Sequence, residues 1–225
     1  MILFLVDYDA ETGLGHLSRC CSLAKYLKCN GAECVFLTSG NAKVENSEGF
    51  KFVDIDEALS DTFLAKVNSV IVDSYRNIRP FNELLGKTRC FKLSFYDGDV
   101  SDVYHDVSDA IIDARYNPGL TKGPDVKIQF QGLDYFVLDP KLVSVAKTRP
   151  LGPPAVLIFL GAAFDHQAAA WANEIASRMS SGELEGLLVH VVFAYTPPPA
   201  SFKSGASSIN FHRMPQNFHQ LLHNS

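Results

Sequence analysis

Near the start of the chain stands TGLGHLSRCCSLAKYL, in which His16 follows Gly13-Leu14-Gly15 and opens a run of helical spacing. Free amides and the dipole at a helix start disfavour imidazolium, so a ring placed there tends to be neutral and basic near neutral pH. Such an imidazole can take a proton from water if a carboxylate or carbonyl holds its other nitrogen. Asp7 and Asp9 are close enough in sequence to be candidates for that partner. The competing reading is a tight turn carrying a solvent-facing histidine. Gly13 and Gly15 permit positive φ and close backbone approach at such a turn. The loop is not a phosphate-binding Gly-Lys-Ser/Thr motif, nor a dinucleotide G-x-G-x-x-G, because Ser18 stands where the third glycine would be.

The elements that must position His16 follow from apolar periodicity. Ile2–Val6 reads as a buried strand, and Leu17, Cys20 or Cys21, Ala24 and Leu27 then recur at helical spacing. Further strands are expected at Glu33–Leu37, Lys51–Val53, Ser69–Asp73, Cys90–Phe95, Asp109–Ile112 and Tyr135–Leu138, with helices near Glu57–Val67 and after Pro80. Almost continuous apolar strands alternating with helices indicate a parallel sheet covered on both faces. KLVSVAKTRPLGPP, with three prolines in Arg149–Pro154, reads as a linker. The pattern then restarts: strand AVLIFLG, helix AFDHQAAAWANEIASRMSS, strand GLLVHVVFAY, loop PPPASFKSGASS, strand INFH and a short helix NFHQLLH. In the alanine-rich helix, Ala168–Ala170 and Trp171 read as packing.

The expected organisation is therefore an N-terminal domain over 1–146, a linker over 147–154 and a C-terminal domain over 155–225. About 75 residues follow the linker, fewer than the ~100–150 of a typical domain, so the second domain is expected to be incomplete. In open parallel sheets, ligands bind beyond the carboxyl ends of the strands. The polar residues there are Asp7, Asp9 and the glycine loop; Asp73, Ser74 and Tyr75; Asp97, Gly98 and Asp99; Asp113 and Asn117; and Gly161 through His166. The Asp97-Gly98-Asp99 turn also fits ordinary turn chemistry.

Bulk properties narrow the partners. The chain has 225 residues, 47% of them apolar and 20% charged, with a formal net charge of -5. That balance fits a globular protein and argues against a nucleic-acid partner. MILFLV is too short for a signal-peptide core, and no run approaches a membrane span. Five cysteines without a Cys-x-x-Cys pair read as reduced thiols in a cytoplasmic protein. His105, His166, His190, His212, His219 and His223 show no metal-ligand spacing, so neither a metal nor another cofactor is expected.

Taken in order, the motifs resemble one family. Asp7-x5-Gly13-Leu14-Gly15-His16-x2-Arg19-Cys20-x2-Leu23-Ala24, then VIVDSY, LSFYDG, DAIIDARYNPG, QGLDYFVLDPKL and FLGAAFD, look like the PseG/SpsG family, over essentially the whole chain. The family comprises UDP-sugar hydrolases of pseudaminic acid biosynthesis and related spore-coat polysaccharide proteins. The resemblance implies an α/β fold of two Rossmann-like domains of GT-B type, the second incomplete, with a UDP-sugar in the cleft. It also implies metal-free release of UDP from UDP-2,4-diacetamido-2,4,6-trideoxy-β-L-altropyranose by water attack at the anomeric carbon. Carried over by position, His16 is the general base, Gly13 and Gly15 shape its loop, and Asp7, Arg19, Tyr75, Asp97 and Asn117 line the sugar side or support His16. Gly161 marks the corresponding second-domain loop. This chain departs from the family at Leu5, where an arginine is usual, at Ala162 within a longer turn, and at Asp139, where a carboxylate replaces a phosphate-attracting arginine. Later parts of the family's C-terminal domain, which hold the uridine and diphosphate, have no counterpart here. Two other functions compete: a non-catalytic nucleotide-sugar-binding or interaction module, with a homodimer covering the incomplete second domain, and a GT-B-like glycosyltransferase with a sugar acceptor.

Overall fold

The computed structural model describes residues 1–8, 15–40, 49–97, 104–114, 128–140, 155–158, 165–183, 186–193 and 209–213. The expected linker, the loop at 197–208 and the helix at 217–223 lie outside them. The chain divides into two compact units, Met1–Thr12 with His16–Pro140 and Gly13–Gly15 with Lys141–Ser225.

The first unit is built on a seven-stranded sheet, with β1 (Ile2–Val6), β2 (Cys34–Thr38), β3 (Lys51–Phe52), β4 (Ser69–Asp73), β5 (Phe91–Phe95), β6 (Ala110–Asp113) and β7 (Ile128–Gln131) in the order β3-β2-β1-β4-β5-β6-β7. All pairings are parallel. The order runs outward in opposite directions from β1 and β4, which makes their shared carboxyl end the place where connections diverge and a crevice opens. β1 lies between β2 and β4, its Val6 in register with Thr38 on one side and Asp73 on the other.

Alternation of side chains sorts the core onto two faces. Leu3 and Leu5 join Val70, Val72, Phe81, Leu84 and Leu85 on one face, the last three from α4 (Arg79–Lys87). Phe4 and Val6 meet Leu17, Cys20 and Ala24 of α1 (Gly15–Cys29) on the other. Phe4 also stacks on Phe36 of β2 at a centroid distance of 4.7 Å. Burying each such large apolar side chain stabilises the fold by about 1.5–3 kcal/mol, which fixes α1 over the sheet. Leu5 is wholly buried in this core.

Two expectations are corrected here. The helix expected over 57–67 is split into α2 (Ile55–Ala58) and α3 (Asp61–Leu64), because Ser60 takes an extended conformation (φ -68°, ψ 140°) between them. The strand expected at Tyr135–Leu138 is instead a 3-10 turn at Leu133–Tyr135 followed by irregular backbone, and the last described strand of this unit is β7. β7 is an edge strand whose Ile128, Gln129 and Gln131 are exposed, so it lacks the continuous apolar run of a central strand. Gly132, at φ 101°, ends it.

The second unit contains β8 (Ala155–Ile158), α5 (Asp165–Ser180), β9 (Leu188–Phe193) and β10 (Ile209–Arg213), with parallel pairing in the order β10-β9-β8. Ala168 and Ala172 of α5, one turn apart, pack on Ile158, Val189, Val191, Phe193 and Ile209. Trp171, expected to pack, is 57% exposed, because the alanines on the neighbouring face already fill the contact with the sheet. None of the described helices is long and apolar enough to cross a membrane.

Candidate functional site

His16 is the second residue of α1, and Asp73 is the last of β4. His16 Nδ1 lies 2.5 Å from Asp73 Oδ1, with the two side chains 4% and 1% exposed. A solvent-facing turn histidine is therefore ruled out. Spacing explains the convergence: residues 16, 19 and 20 stand at i, i+3 and i+4, one stripe of a helix. That stripe lies over one carboxylate, for Arg19 Nε and Nη2 donate to Asp73 at 2.9 and 2.7 Å and Cys20 Sγ at 3.5 Å. The partner of His16 is thus Asp73, not Asp7; Asp9 lies outside the described residues.

Arg19 grips a second carboxylate as well. Its Nη1 and Nη2 donate to Asp97 Oδ1 and Oδ2, each at 2.9 Å, and its Cζ sits 4.5 Å from the ring centroid of Phe95. Burial alone would lower the Arg19 pKa, but the paired carboxylates of Asp73 and Asp97 raise it above its ordinary value. Asp97 also accepts from the Tyr75 hydroxyl at 2.6 Å. Burial acts to raise the Asp97 pKa, yet the Arg19 bonds and charge, with Tyr75, hold it below the ordinary carboxylate value. Burial, followed by the bond to Asp97, pushes Tyr75 up. The Tyr75 ring meets the His16 ring edge-on at 4.3 Å. Burial, reinforced by Asp73, pushes the Cys20 thiol up, so it stays protonated.

Protonation at His16 follows from these partners. Asp73 is tied to a guanidinium that remains charged, so its carboxylate accepts and His16 Nδ1 carries the proton. In the neutral ring the lone pair then sits on Nε2. A buried Asp that fixes the histidine tautomer and stabilises the imidazolium is the arrangement that makes histidine an effective general base.

Asp7 serves a different cluster. It is wholly buried and accepts from Arg76 Nε at 2.8 Å and from Arg76 Nη2, from Ser39 Oγ at 2.8 Å and from Ser74 Oγ at 3.2 Å. Its only link toward the dyad among the described residues is its backbone N–H on the Asp73 carbonyl at 2.9 Å. Of the residues expected at the site, His16, Arg19, Tyr75 and Asp97 form one network, and Asp7 stands apart with Arg76. Gly13, Asn117 and Gly161 lie outside the described residues. Gly15 is the first helical residue without the positive φ anticipated for it, and a Cβ there would meet no described atom within 4 Å. Asp139, expected to repel phosphate, is held by Lys25 Nζ at 3.0 Å.

The sequence reading placed Asp73 at a strand end without assigning it a role, and missed Arg76. Both stand at the carboxyl end of β4, the strand beside β1, and that adjacency was their available signal. It also missed His190 and His212, whose Nδ1 and Nε2 lie 2.9 Å apart across β9 and β10. Burial, then the neighbouring His190, lowers the His212 pKa. Among the described residues, no three His, Cys, Asp or Glu side chains gather as a metal site requires. A cavity of about 290 Å³ adjoins Arg19 and Asp97, walled by Phe95, Ile112, Ala114 and the 133–137 segment.

No protein-family model matches this chain, and no curated protein matches it in sequence. Solved structures do match. Acinetobacter baumannii MurG aligns with a TM-score of 0.59 at 11% identity, covering 100% of this chain and 71% of MurG. The fold is α/β, Rossmann-like and of GT-B type. At that identity the likeness concerns the fold alone.

Proposed function

We propose that the chain cleaves a nucleotide sugar, with His16 as general base for water attacking the anomeric carbon and a UDP group as leaving group. The observation that carries this reading is the bond from His16 Nδ1 to the buried carboxylate of Asp73. In the proposed reaction, Nε2 takes a proton from water as the new C–O bond forms and the bond from the anomeric carbon to the diphosphate oxygen breaks. The products are the free sugar and UDP, and His16 later releases its proton to solvent. Asp73 acts as a positioning residue that stabilises the imidazolium, while Arg19, braced by Asp97, holds the Asp73 carboxylate in place. A base so placed contributes about 10²–10⁴-fold to rate. The PseG/SpsG resemblance supports a UDP-diacetamido-trideoxy-hexose as substrate, in nonulosonic acid or surface polysaccharide synthesis, and a domain boundary near residues 147–154.

Transfer to a hydroxyl acceptor is the second reading, favoured by the GT-B fold and served by the same base. UDP release from UDP-2,4-diacetamido-2,4,6-trideoxy-β-L-altropyranose by the wild-type chain and by His16→Ala tests the proposal. Release that disappears with His16 supports it. Equal release from both proteins removes His16 as the base, and no release from either points to a binding module.

A further inference from the structure

The cavity beside Arg19 and Asp97 is larger than a water nucleophile needs. Its volume of about 290 Å³ is close to the lower limit of ~300 Å³ for pockets that hold whole small molecules. Its wall is mainly apolar, from Phe95, Ile112, Ala114 and Val137, and its polar end is the Arg19–Asp97 pair. Leu133, Tyr135 and Phe136, which complete the lining, are 55%, 44% and 56% exposed. Apolar side chains turned to water around a concavity are stabilised when an apolar group covers them.

The polar end has a defined chemistry. Asp97 Oδ2 accepts from Arg19 Nη2 and from Tyr75, which uses both of its lone pairs. Among the described residues, Oδ1 accepts only from Arg19 Nη1. A carboxylate oxygen accepts two hydrogen bonds, so Oδ1 keeps one position for an N–H or O–H donor. We infer that the cavity is a subsite for an apolar group of about ten heavy atoms, judged at ~30 Å³ each, joined through a donor that Asp97 Oδ1 accepts. An aromatic ring or a medium-length acyl chain satisfies that description. The inference rests on the nucleotide-sugar reading, because the group is then carried either by the sugar or by the hydroxyl compound that His16 deprotonates.

The first experiment is an NMR titration of the full chain with hexanamide and with acetamide, which share the N–H donor and differ in apolar length. Each methylene that becomes buried is worth about fourfold in affinity, so hexanamide should bind at least about tenfold more tightly. Ala114→Phe, which fills the cavity, and Leu133→Asp, on the exposed rim where folding is spared, should each bring the two amides to within about twofold. Equal affinities in the wild type overturn the inference. The second experiment identifies the carrier. Faster UDP release from an N-hexanoyl than from an N-acetyl amino-sugar nucleotide, lost in Leu133→Asp, places the group on the sugar. Formation of a hexyl glycoside when 1-hexanol is added to UDP-N-acetylglucosamine places it on the acceptor. Amide binding with neither effect, in a chain that does release UDP, overturns the cavity as a substrate subsite. Absence of all UDP release removes the functional reading alone, since the amide titration does not depend on turnover.

Discussion

Asp73→Asn is the most informative perturbation, because it removes one charge from the centre of the network and changes little volume. Asp73 is 1% exposed and accepts from His16 and twice from Arg19. Breaking a buried charge pair typically costs about 3–5 kcal/mol, and Arg19, still paired with Asp97, should hold the cost near the lower figure. A fold with about 5–15 kcal/mol in hand survives that loss, so urea unfolding should show a lowered midpoint and a folded baseline. The effect on chemistry should be larger in proportion. An amide no longer fixes the Nδ1–H tautomer or stabilises imidazolium, so UDP release should fall by about 10²–10⁴-fold, the full contribution of a general base. A purely structural role would lower stability and rate together, in proportion to the unfolded fraction. The proposed role also removes the downfield proton signal of Nδ1 that the bond to the Asp73 carboxylate produces. A folded Asn variant that loses less than about tenfold in rate would refute the positioning argument.

Other perturbations test neighbouring parts of the structure. Asp97 has a depressed pKa, held down by Arg19 and Tyr75 against the opposing effect of burial. Its contribution to stability is therefore complete above the unfolded carboxylate value of about 3.9 and is lost as pH falls through the lower folded value. Asp97→Asn should flatten that acid limb in pH-dependent urea unfolding, and an unchanged limb would contradict the Arg19 clamp. Thiol labelling near neutral pH should modify the exposed Cys29 first and spare the buried Cys20, whose pKa is raised by burial; rapid labelling of Cys20 in the folded chain would contradict its packing. Gly15→Ala should keep the helix and lose less than about 1 kcal/mol of stability, measured by urea unfolding, because no described atom opposes a Cβ there. Leu84→Ala, in a fully buried position of α4, should cost about 2–5 kcal/mol in the same assay.

Much of the scaffold was legible in the chain. Continuous apolar strands such as Ile2–Val6 and Ser69–Asp73 signalled a parallel sheet, because strands buried on both faces leave no polar positions. The spacing of Leu17, Cys20 and Ala24 identified α1, since only a helix brings those positions to one face. β7 escaped because an edge strand exposes most of its side chains, and the apolar YFVL segment looked more like a strand than the cavity wall that its first three residues form. His16 and Arg19 were visible as candidates from the glycine loop and the family resemblance. Their shared partner was not. Asp7 is nine residues from His16 and Asp73 is fifty-seven away, yet Asp73 makes the contact. Sequence proximity favours the first, but parallel pairing of β1 with β4 sets both carboxylates at one sheet edge. Arg76 then neutralises Asp7, while the α1 stripe of His16, Arg19 and Cys20 settles over Asp73. The sequence by itself determined which residues could carry the chemistry, through local spacing and helix geometry. Only the tertiary structure decided which charges pair, because that depends on the sheet order that brings distant strand ends together.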